Sequence, residues 1–468
     1  MVIGSFLFFL LIFLIIGALS LLASKQNTAD YLLAGHSIKP WLAALSAVAT
    51  NNSGYMFTGM IGFTYINGLS SIWLMVGWIA GDLIGSLLLW RSIREATEAY
   101  ELHSFGGLIS RWWGQYYKKL RFLSGILVLV FLGSYSAAQL NAGSKALHVL
   151  LGWDLSTGAW IGAIMVLVYS FAGGIRASIW TDAAQSFVMI LAMPLLMWMT
   201  MQDIGGWKTM LAELHQVKDG YMDWLPPGST FTSAALFILG WVFAGFGVVG
   251  QPQVMIRYMS MNDPRQMNRA RIYYYGWFTL FYGATIVVGL LSRLVITNTA
   301  EFDSELALPT MAVELMPDMM VGLVLAGLFA ATMSTADSLV LSCSAAISRD
   351  FRPDNPSSYG ATKLATLTVV AVALVIALFG NKSVFELVLL SWGMLAVAFA
   401  PLMIIYRCRR LPSEKQSIII MLSGVAAYLA SHFTVISDYV YELMPAMLVP
   451  AAVYMIMSMT GGGIKKVG

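Results

Sequence analysis

The chain has 468 residues, of which 58% are hydrophobic and 11% are charged, and its formal net charge is +3. A soluble domain averages about 45–50% apolar and about 25% charged residues, so this composition excludes a water-soluble fold and predicts that lipid covers much of the surface. The two cysteines, Cys343 and Cys408, lie far apart and the five histidines are scattered, which argues against a disulfide framework and a transition-metal site.

Apolar stretches follow one another along the whole chain. A membrane-spanning helix needs about 20 mainly apolar residues. Thirteen stretches meet this requirement: 2–24, 38–67, 70–97, 120–152, 156–173, 176–202, 231–251, 268–298, 320–349, 362–380, 383–407, 416–434 and 438–459. The first run is too long for a signal peptide and has no basic start, so we expect it to be retained. We therefore predict an all-α integral membrane protein with thirteen spans, in which residues 1–468 form a single transmembrane domain.

The distribution of Lys and Arg predicts the orientation, because cytoplasmic loops of membrane proteins carry an excess of these residues. With the N-terminus outside, only Lys145, Lys208, Lys218, Arg293 and Lys382 fall on the outer side. All other Lys and Arg residues, Arg257 included, then fall on the inner side. The sequence thus predicts a multi-pass protein of the cell's inner (plasma) membrane with its N-terminus outside and its C-terminus in the cytoplasm.

The second and seventh spans are unusual for helices in lipid. The second reads A-V-A-T-N-N-S-G over Ala47–Gly54, and the seventh reads W-V-F-A-G-F-G-V-V-G-Q-P over Trp241–Pro252. A broken backbone at membrane depth survives only where protein or a water-filled cavity surrounds it. Discontinuous helices five spans apart are expected in a five-plus-five inverted repeat, here 38–202 and 231–407. The alternative is that the small residues only allow close helix packing.

The ninth span carries a polar face. In the segment A-A-T-M-S-T-A-D-S, helical geometry places Ala331, Ser334 and Thr335 on one side, at i, i+3 and i+4. One carbonyl and two hydroxyl oxygens suit a hard monovalent cation, with unwound carbonyls of the second span as further ligands. The alternative is that these hydroxyls only bond to carbonyls of their own helix.

Three carboxylates, Asp82, Asp182 and Asp337, lie inside predicted spans, where ionisable groups are rare and usually functional. Asp182 is a candidate for the inner ion path, and the alternative is a structural ion pair with Arg176. Asp337 follows Thr335 by less than one helical turn, so it either adds charge near the ion site or bonds a neighbouring helix. For Asp82 we expect a structural hydrogen bond.

Several long motifs, in the same order, resemble those of the sodium/solute symporter family, which includes the bacterial sodium/proline and sodium/pantothenate symporters. They are D-Y-L-L-A-G-H-S-I at Asp30–Ile38, the segment Ala47–Gly54, F-A-G-G-I-R-A-S-I-W-T-D at Phe171–Asp182, G-Q-P-Q-V-M-I-R-Y-M at Gly250–Met259, and A-A-T-M-S-T followed by S-A-A-I-S-R-D at Ser344–Asp350. The resemblance covers nearly the whole chain. It implies a leucine-transporter-like fold, with broken helices opening each repeat and alternating access between the repeats.

The resemblance also implies a sodium site. Its ligands would be the backbone oxygens of Ala49, Asn52 and Ala331 and the hydroxyls of Ser334 and Thr335. Asp182 matches a family aspartate near the inner ion path, and Asp337 joins it as the second candidate there.

The solute pocket is expected around the two broken spans. Its candidate residues are Asn51, Ser53, Gly54, Tyr135, Gln139, Trp241, Phe246 and Gln251. The aromatic side chains of Trp241 and Phe246 could equally serve packing.

The chain departs from the proline symporters at three pocket positions. Those proteins have an aspartate at the position of Asn51, and a Trp and a Tyr where an ungapped alignment gives Ala244 and Val248. The stretch Trp241–Gly250 is more similar to the pantothenate type. These differences weaken an assignment to proline.

The predicted function is therefore sodium-coupled symport of a small organic solute into the cell by alternating access. The solute would be an amino acid such as proline, or a carboxylate or vitamin. Na+ is the expected coupling ion, and solute, sodium and membrane lipid are the expected partners, with no nucleic acid or protein partner. The sequence contains no phosphate-binding loop and no nucleophile-plus-base pattern, so we do not expect an enzyme.

One alternative is a proton-coupled transporter in which Asp337 or Asp182 titrates. The other is a membrane sensor module, which is disfavoured because no cytoplasmic domain follows Met459 in the sequence.

Overall fold

The computed structural model describes residues 1–297, 302–355, 357–380, 384–432, 434, 441–460 and 464–466. We number its α-helices in chain order. The first ten are α1 (Val2–Leu21), α2 (Thr28–Leu33), α3 (Pro40–Tyr55), α4 (Ile61–Asn67), α5 (Ile72–Gly85), α6 (Arg91–Ala99), α7 (Phe105–Arg111), α8 (Lys118–Leu151), α9 (Leu155–Ile204) and α10 (Trp207–Leu214).

The remaining helices follow the same numbering. They are α11 (Phe231–Phe246), α12 (Pro252–Met259), α13 (Met267–Val295), α14 (Ala307–Leu315), α15 (Asp318–Ala345), α16 (Tyr359–Phe379), α17 (Val384–Arg407), α18 (Glu414–His432) and α19 (Leu443–Met459). Two short strands, β1 (Arg410–Leu411) and β2 (Lys465–Lys466), pair antiparallel near the C-terminus.

The predicted helical membrane architecture is confirmed. Nine helical segments within the described residues are long and apolar enough to cross a membrane. Two of these segments, Pro40–Ala99 and Leu155–Ile204, each contain two predicted spans. Each predicted span coincides with helix to within a few residues, except that the boundaries at 298, 383 and 438, and residue 433 inside the span 416–434, lie outside the described residues. The number of thirteen crossings stays a prediction, because α18 is not one of the nine segments and α19 is shorter than a full span.

The helix of the second predicted span is interrupted at Ser53. This residue has φ 50° and ψ −176°, and a π-helical turn (Met56–Met60) then leads into α4. The seventh predicted span is also interrupted. A 3-10 turn (Gly247–Gly250) follows α11, and Gln251 is extended before Pro252 starts α12. Both discontinuities predicted from the sequence are therefore present.

Close packing of small residues accompanies the second discontinuity. A Cβ atom on Gly81 of α5 would lie 1.9 Å from the carbonyl oxygen of Val242 in α11. A Cβ on Gly245 of α11 would lie 1.9 Å from the carbonyl oxygen of Trp78 in α5. The glycines of these two helices therefore let the backbones approach closely, so the packing alternative for the seventh span holds alongside the break.

The fifth and sixth predicted spans form a single helical run, α9, with one sharp turn. Gly174 has φ 58° and ψ −145°, a conformation that glycine adopts without a steric cost. A Cβ at this position would lie 2.4 Å from the carbonyl oxygen of Tyr31. The turn in α9 thus provides the surface on which the short helix α2 docks.

The sequence did not predict the helices inside two long connections. Helix α10 lies in the connection 203–230 and α14 in the connection 297–319. Both have fewer than ten residues, which is too short for an apolar period to be distinguished from a loop.

Helix α15 lies at the centre of the molecule. It packs against α1, α3, α8, α9 and α16. Every residue from Val324 to Ala345 is buried. A helix buried on all its faces carries any polar side chain into the interior, so the hydroxyls and Asp337 of α15 must find partners inside the protein.

Candidate functional site

The break in α3 is held by side chains of α8. The hydroxyl of Tyr135 donates a hydrogen bond to the Ser53 Oγ at 3.2 Å, and that oxygen also accepts the backbone N–H of Tyr55 at 3.1 Å. The Oε1 of Gln139 accepts the backbone N–H of Gly54 at 2.8 Å. The interruption thus brings together four of the residues predicted for the solute pocket, and α8 satisfies the backbone groups that the break frees.

The polar face of α15 contacts α3 just before the break. Thr335 Oγ1 lies 3.1 Å from the carbonyl oxygen of Thr50 and 3.0 Å from that of Ala331, and it has one proton to donate. Ser334 Oγ donates to the same Ala331 oxygen at 3.1 Å. The alternative of bonding within the helix therefore holds for both hydroxyls, and Thr335 in addition touches the broken helix.

The two predicted ligands on α3, Ala49 and Asn52, have no exposed surface. The Asn52 side chain turns back along its own helix, and its Nδ2 donates to the carbonyl oxygen of Val48 at 2.9 Å. Its Oδ1 has no hydrogen-bond partner among the described residues. A buried oxygen without a donor is a position at which a cation or a donor group would be stabilised.

A fully buried arginine of α12 contacts side chains of three other helices. Arg257 of α12 donates from Nη2 to Asp182 Oδ2 at 3.1 Å and to Ser178 Oγ at 2.9 Å, both on α9. Its Nη2 also contacts Ser338 Oγ of α15, and its Nε donates to Ser46 Oγ of α3 at 3.0 Å. One guanidinium thus links α12 to α9, α15 and α3.

Asp337 belongs to the same polar cluster. Its Oδ1 accepts hydrogen bonds from Ser178 Oγ and Ser338 Oγ, each at 3.0 Å. Ser178 is also bonded by Arg257, so the two predicted ion-path carboxylates, Asp182 and Asp337, share their partners. Of the two possibilities for Asp337, bonding to a neighbouring helix is present, since Ser178 lies on α9.

Asp182 pairs with Arg257, which was counted with the inner-side arginines and has no exposed surface. The alternative of an ion pair between Asp182 and Arg176 is wrong: Arg176 Nη2 donates to Asp30 Oδ1 at 2.5 Å. The reason is that the turn at Gly174 places Arg176 beside α2. Arg257 carried a signal in the sequence, because it follows three apolar residues, and a guanidinium buried there requires a counter-charge.

Asp82 makes the structural hydrogen bond that was expected. Its partner, Tyr274, is also bonded to Asn51 of the broken helix α3. Tyr274 of α13 donates its hydroxyl proton to Asp82 Oδ2 at 2.7 Å. Its oxygen in turn accepts a hydrogen bond from Asn51 Nδ2 at 2.5 Å. Asn51 is 6% exposed, and its Oδ1 has no partner among the described residues. Tyr274 was not among the predicted site residues, because its relation to Asn51 depends on the packing of three helices.

The other predicted pocket residues lie at or beside the second break. Gln251 Nε2 donates to the carbonyl oxygen of Trp392 at 2.9 Å, which joins the break to α17. Trp241 stacks on Tyr441 with ring centroids 4.6 Å apart. Phe246 lies in an apolar groove formed by α11, α17 and α19. Both aromatic side chains, Trp241 and Phe246, therefore take part in packing.

The main chain just before α3 is joined to the main chain just after α12. The backbone N–H of Ile38 donates to the carbonyl oxygen of Ser260 at 3.2 Å, and Asn262 N–H donates to the Ile38 oxygen at 2.9 Å. His36 Nδ1 lies 2.9 Å from the Met259 oxygen, and burial lowers the pKa of this imidazole. A neutral His36 can donate its Nδ1 proton to this carbonyl, which adds to the contact between the start of α3 and the end of α12.

A helical membrane fold in which two interrupted helices meet buried polar groups is typical of secondary transporters. Two solved structures have this fold at 17% sequence identity. A Na+-coupled sialic acid symporter matches with a TM-score of 0.80, covering 100% of this chain and 99% of that one. Mhp1, a nucleobase-cation-symport-1 family transporter, matches with a TM-score of 0.60, covering 94% and 96%.

The sequence profile of the Sodium:solute symporter family matches residues 31–409, and the chain belongs to this family. It is 28% identical over 430 residues to the high-affinity proline transporter PutP of Bacillus subtilis, covering 90% of each chain. It is 30% identical over 397 residues to the sodium/proline symporter of Salmonella typhimurium, covering 81% of this chain and 78% of that one. The predicted family is confirmed, and the protein is a membrane transporter and not an enzyme.

Proposed function

We propose that this protein is a sodium-coupled symporter that carries a small organic solute into the cell. Family membership supports the coupling to sodium. The observation that carries the proposal is the contact between the hydroxyl face of α15 and the broken helix α3, at Thr335 and Thr50. A cation held between these helices would couple its own binding to the relative position of α3 and α15.

The sodium ligands in this proposal are the carbonyl oxygens of Ala49, Asn52 and Ala331 and the hydroxyl oxygens of Ser334 and Thr335. All five residues are buried, so an ion among them would be shielded from water. Ser334 and Thr335 direct their protons to carbonyl groups. The lone pairs of these hydroxyls therefore remain as acceptors for a cation.

The solute would bind next to this ion, at the break in α3. The residues that meet there are Asn51, Ser53, Gly54, Tyr135 and Gln139. Trp241, Phe246 and Gln251 extend the proposed site to the second break. The named relatives support an amino acid such as proline, whereas the residues at Asn51, Ala244 and Val248 weaken the assignment to proline and leave a carboxylate or vitamin as the alternative.

The proposed inner ion path passes the cluster of Asp182, Asp337 and Arg257. The guanidinium bonds Asp182, and Asp337 is connected to it through Ser178, so with all three ionised the cluster has one uncompensated negative charge. A cation leaving the sodium site towards the cytoplasm would be stabilised by this charge. The same excess charge supports a second candidate function, a proton-coupled transporter in which one carboxylate takes up the proton.

The proposed architecture is a single transporter domain, 1–468, with thirteen spans in the inner (plasma) membrane, the N-terminus outside and the C-terminus in the cytoplasm. Residues 38–202 and 231–407 form the two inverted repeats, and their relative movement provides alternating access. The interruptions at Ser53 and at 247–251 support this division, because each lies in the helix that opens its repeat.

Uptake into proteoliposomes under imposed ion gradients tests the function. An inward-negative potential of about 100 mV supplies about 2.3 kcal/mol per charge, enough for about fifty-fold accumulation. Radiolabelled L-proline, pantothenate and sialic acid are tested under a sodium gradient, a proton gradient and neither. We expect one solute to accumulate only with inward sodium, together with net charge movement. Uptake driven by protons and indifferent to sodium would contradict the proposal and support the second candidate.

A further inference from the structure

A chain of two hydrogen bonds connects a carboxylate of α5 to the broken helix α3. Asp82 accepts from the Tyr274 hydroxyl at 2.7 Å, and the Tyr274 oxygen accepts from Asn51 Nδ2 at 2.5 Å. Asp82 and Tyr274 have no exposed surface. Neither side chain belongs to the proposed sodium site or the proposed ion path.

The direction of the chain follows from the number of protons. A tyrosine hydroxyl has one proton, and with Asp82 ionised Tyr274 gives it to this carboxylate. Its oxygen can then only accept, so the amide of Asn51 must present its NH2 group to Tyr274. The Asn51 Oδ1 is thereby turned away from Tyr274, and it has no partner among the described residues.

Packing fixes the place of the Tyr274 hydroxyl oxygen. Its ring meets Trp90 edge-to-face, with centroids 5.2 Å apart and an interplanar angle of 89°. A second edge-to-face contact, with Phe278, has a centroid distance of 5.5 Å. The hydroxyl position is therefore set by the ring contacts, and the amide must conform to it.

A buried acceptor without a donor costs free energy until a ligand supplies one. Asn51 lies two residues before the break at Ser53, where Tyr135 and Gln139 also point. We propose that Asp82 and Tyr274 are positioning residues that hold Asn51 with its Oδ1 available to the solute, and that this acceptor selects solutes with an N–H or ammonium donor. This inference rests on the proposed transport function.

Matched solute pairs test the selection, because each pair replaces an N–H or ammonium donor by an ether or ester oxygen, and the third pair does so without a change of net charge. The pairs are L-proline with tetrahydrofuran-2-carboxylate, sarcosine with methoxyacetate, and N-acetyl-β-alanine with 3-acetoxypropanoate. Thermal-shift titrations of the purified full chain, with and without NaCl, measure the apparent affinity for each compound. In the wild type we expect one N–H compound to bind at least about tenfold more tightly than its partner.

Two variants remove the hydrogen-bond chain at different points. Tyr274→Phe deletes the hydroxyl, so the Asn51 amide is free to rotate, and we expect the affinity ratio within the pair to fall about tenfold. Asp82→Asn can donate to the Tyr274 oxygen, which would turn the Tyr274 proton towards Asn51 and reverse its amide. We expect this variant to lower the ratio at least as much. Tyr273→Phe is the control, since Tyr273 is 50% exposed on the same helix, and its ratio should equal that of the wild type.

The outcomes separate this inference from the transport proposal. An unchanged ratio in folded Tyr274→Phe protein, or no preference for the N–H compound in the wild type, overturns the inference while sodium-dependent binding persists. A variant that weakens only the apparent sodium affinity also overturns it, because Asn51 then serves the ion. If no compound binds with sodium and sodium-driven uptake is absent, the proposed function fails as well. Tyr274→Phe keeps the test decisive if Asp82→Asn does not fold.

Discussion

Arg257 of α12 and Asp182 of α9 form an ion pair, 3.1 Å long, in which neither side chain has any exposed surface. Taking two charges out of water is costly, and the pair is stable only because further hydrogen bonds satisfy its remaining groups. Ser46 of α3 contributes one of these bonds, donating to Asp182 Oδ2 at 2.6 Å. The pair therefore joins helices from both halves of the chain, so movement of α12 relative to α9 must break or rearrange it.

Removal of the guanidinium should be strongly destabilising. Arg257→Gln leaves Asp182 and Asp337 without a counter-charge, and the loss of one partner from a buried pair costs about 3–5 kcal/mol. We expect a clearly lower melting temperature in detergent and a reduced yield of folded protein. Arg265→Gln is the control, because Arg265 is 82% exposed in its pair with Asp263 and its loss should leave the melting temperature unchanged. Equal melting temperatures for both variants would contradict the assigned pair.

The hydroxyls of α15 should determine the sodium dependence. Ser334→Ala and Thr335→Ala each remove one proposed ligand oxygen, so we expect each to raise the sodium concentration for half-maximal uptake by about tenfold or more, and the double variant to lose sodium stimulation. Uptake into proteoliposomes at varied sodium concentration measures this effect. Ser344→Ala is the matched control, since Ser344 is a buried serine of the same helix whose hydroxyl donates to the Val340 oxygen, one turn back in α15. Normal sodium dependence in the double variant would exclude the proposed ligands.

A methyl group at position 54 should disturb the broken helix. A Cβ on Gly54 would lie 2.7 Å from Thr332 Cγ2 and 2.9 Å from Ala142 Cβ, so Gly54→Ala forces α3 away from α8 and α15. We expect sodium-driven uptake to fall at least about tenfold, with a destabilisation of about 1–3 kcal/mol. For Gly133→Ala, where no atom lies within 4 Å of the added Cβ, stability and uptake should be preserved or slightly improved. Full activity of Gly54→Ala would show that the packing at the break tolerates expansion.

The two cysteines provide a test of the orientation. Cys408 is exposed just after α17, on the predicted cytoplasmic side, whereas Cys343 is buried in α15. A membrane-impermeant maleimide should label the wild-type chain in inside-out vesicles and not in right-side-out vesicles. Cys408→Ser should abolish the labelling, and Cys343→Ser should leave it unchanged. Labelling of Cys408 from the outer side would reverse the proposed topology.

Much of the fold was predictable because it depends on local composition. The length of each apolar stretch indicates a helix in lipid, whatever its neighbours are. The polar run at Asn51–Gly54 and the glycines before Pro252 marked both interruptions, since neither continues comfortably as a lipid-exposed helix. The turn at Gly174 was expected only as a boundary between two spans. The sequence shows that a break occurs but not its angle.

The residues of the candidate site could be identified one by one from the sequence, but their hydrogen-bond and ion-pair partners could not. The α15 face of Ala331, Ser334 and Thr335 follows from helical spacing alone, and Thr335 does contact α3. Long-range partners required the folded chain. From the sequence, Arg176, six residues away, was the candidate ion-pair partner of Asp182. In the folded chain the partner is Arg257, 75 positions further along.

Local sequence thus established that this chain is a helical membrane protein with two broken spans and a hydroxyl-lined helix, because apolar length, charge bias and helical period act over a few turns. It also carried the family motifs. The pairing of charges and the direction of Asn51 were set by helix packing, because a buried polar group takes the partner that three-dimensional proximity offers and cannot leave its hydrogen bonds to water. The chain from Asp82 through Tyr274 to Asn51 exists only where α5, α13 and α3 meet.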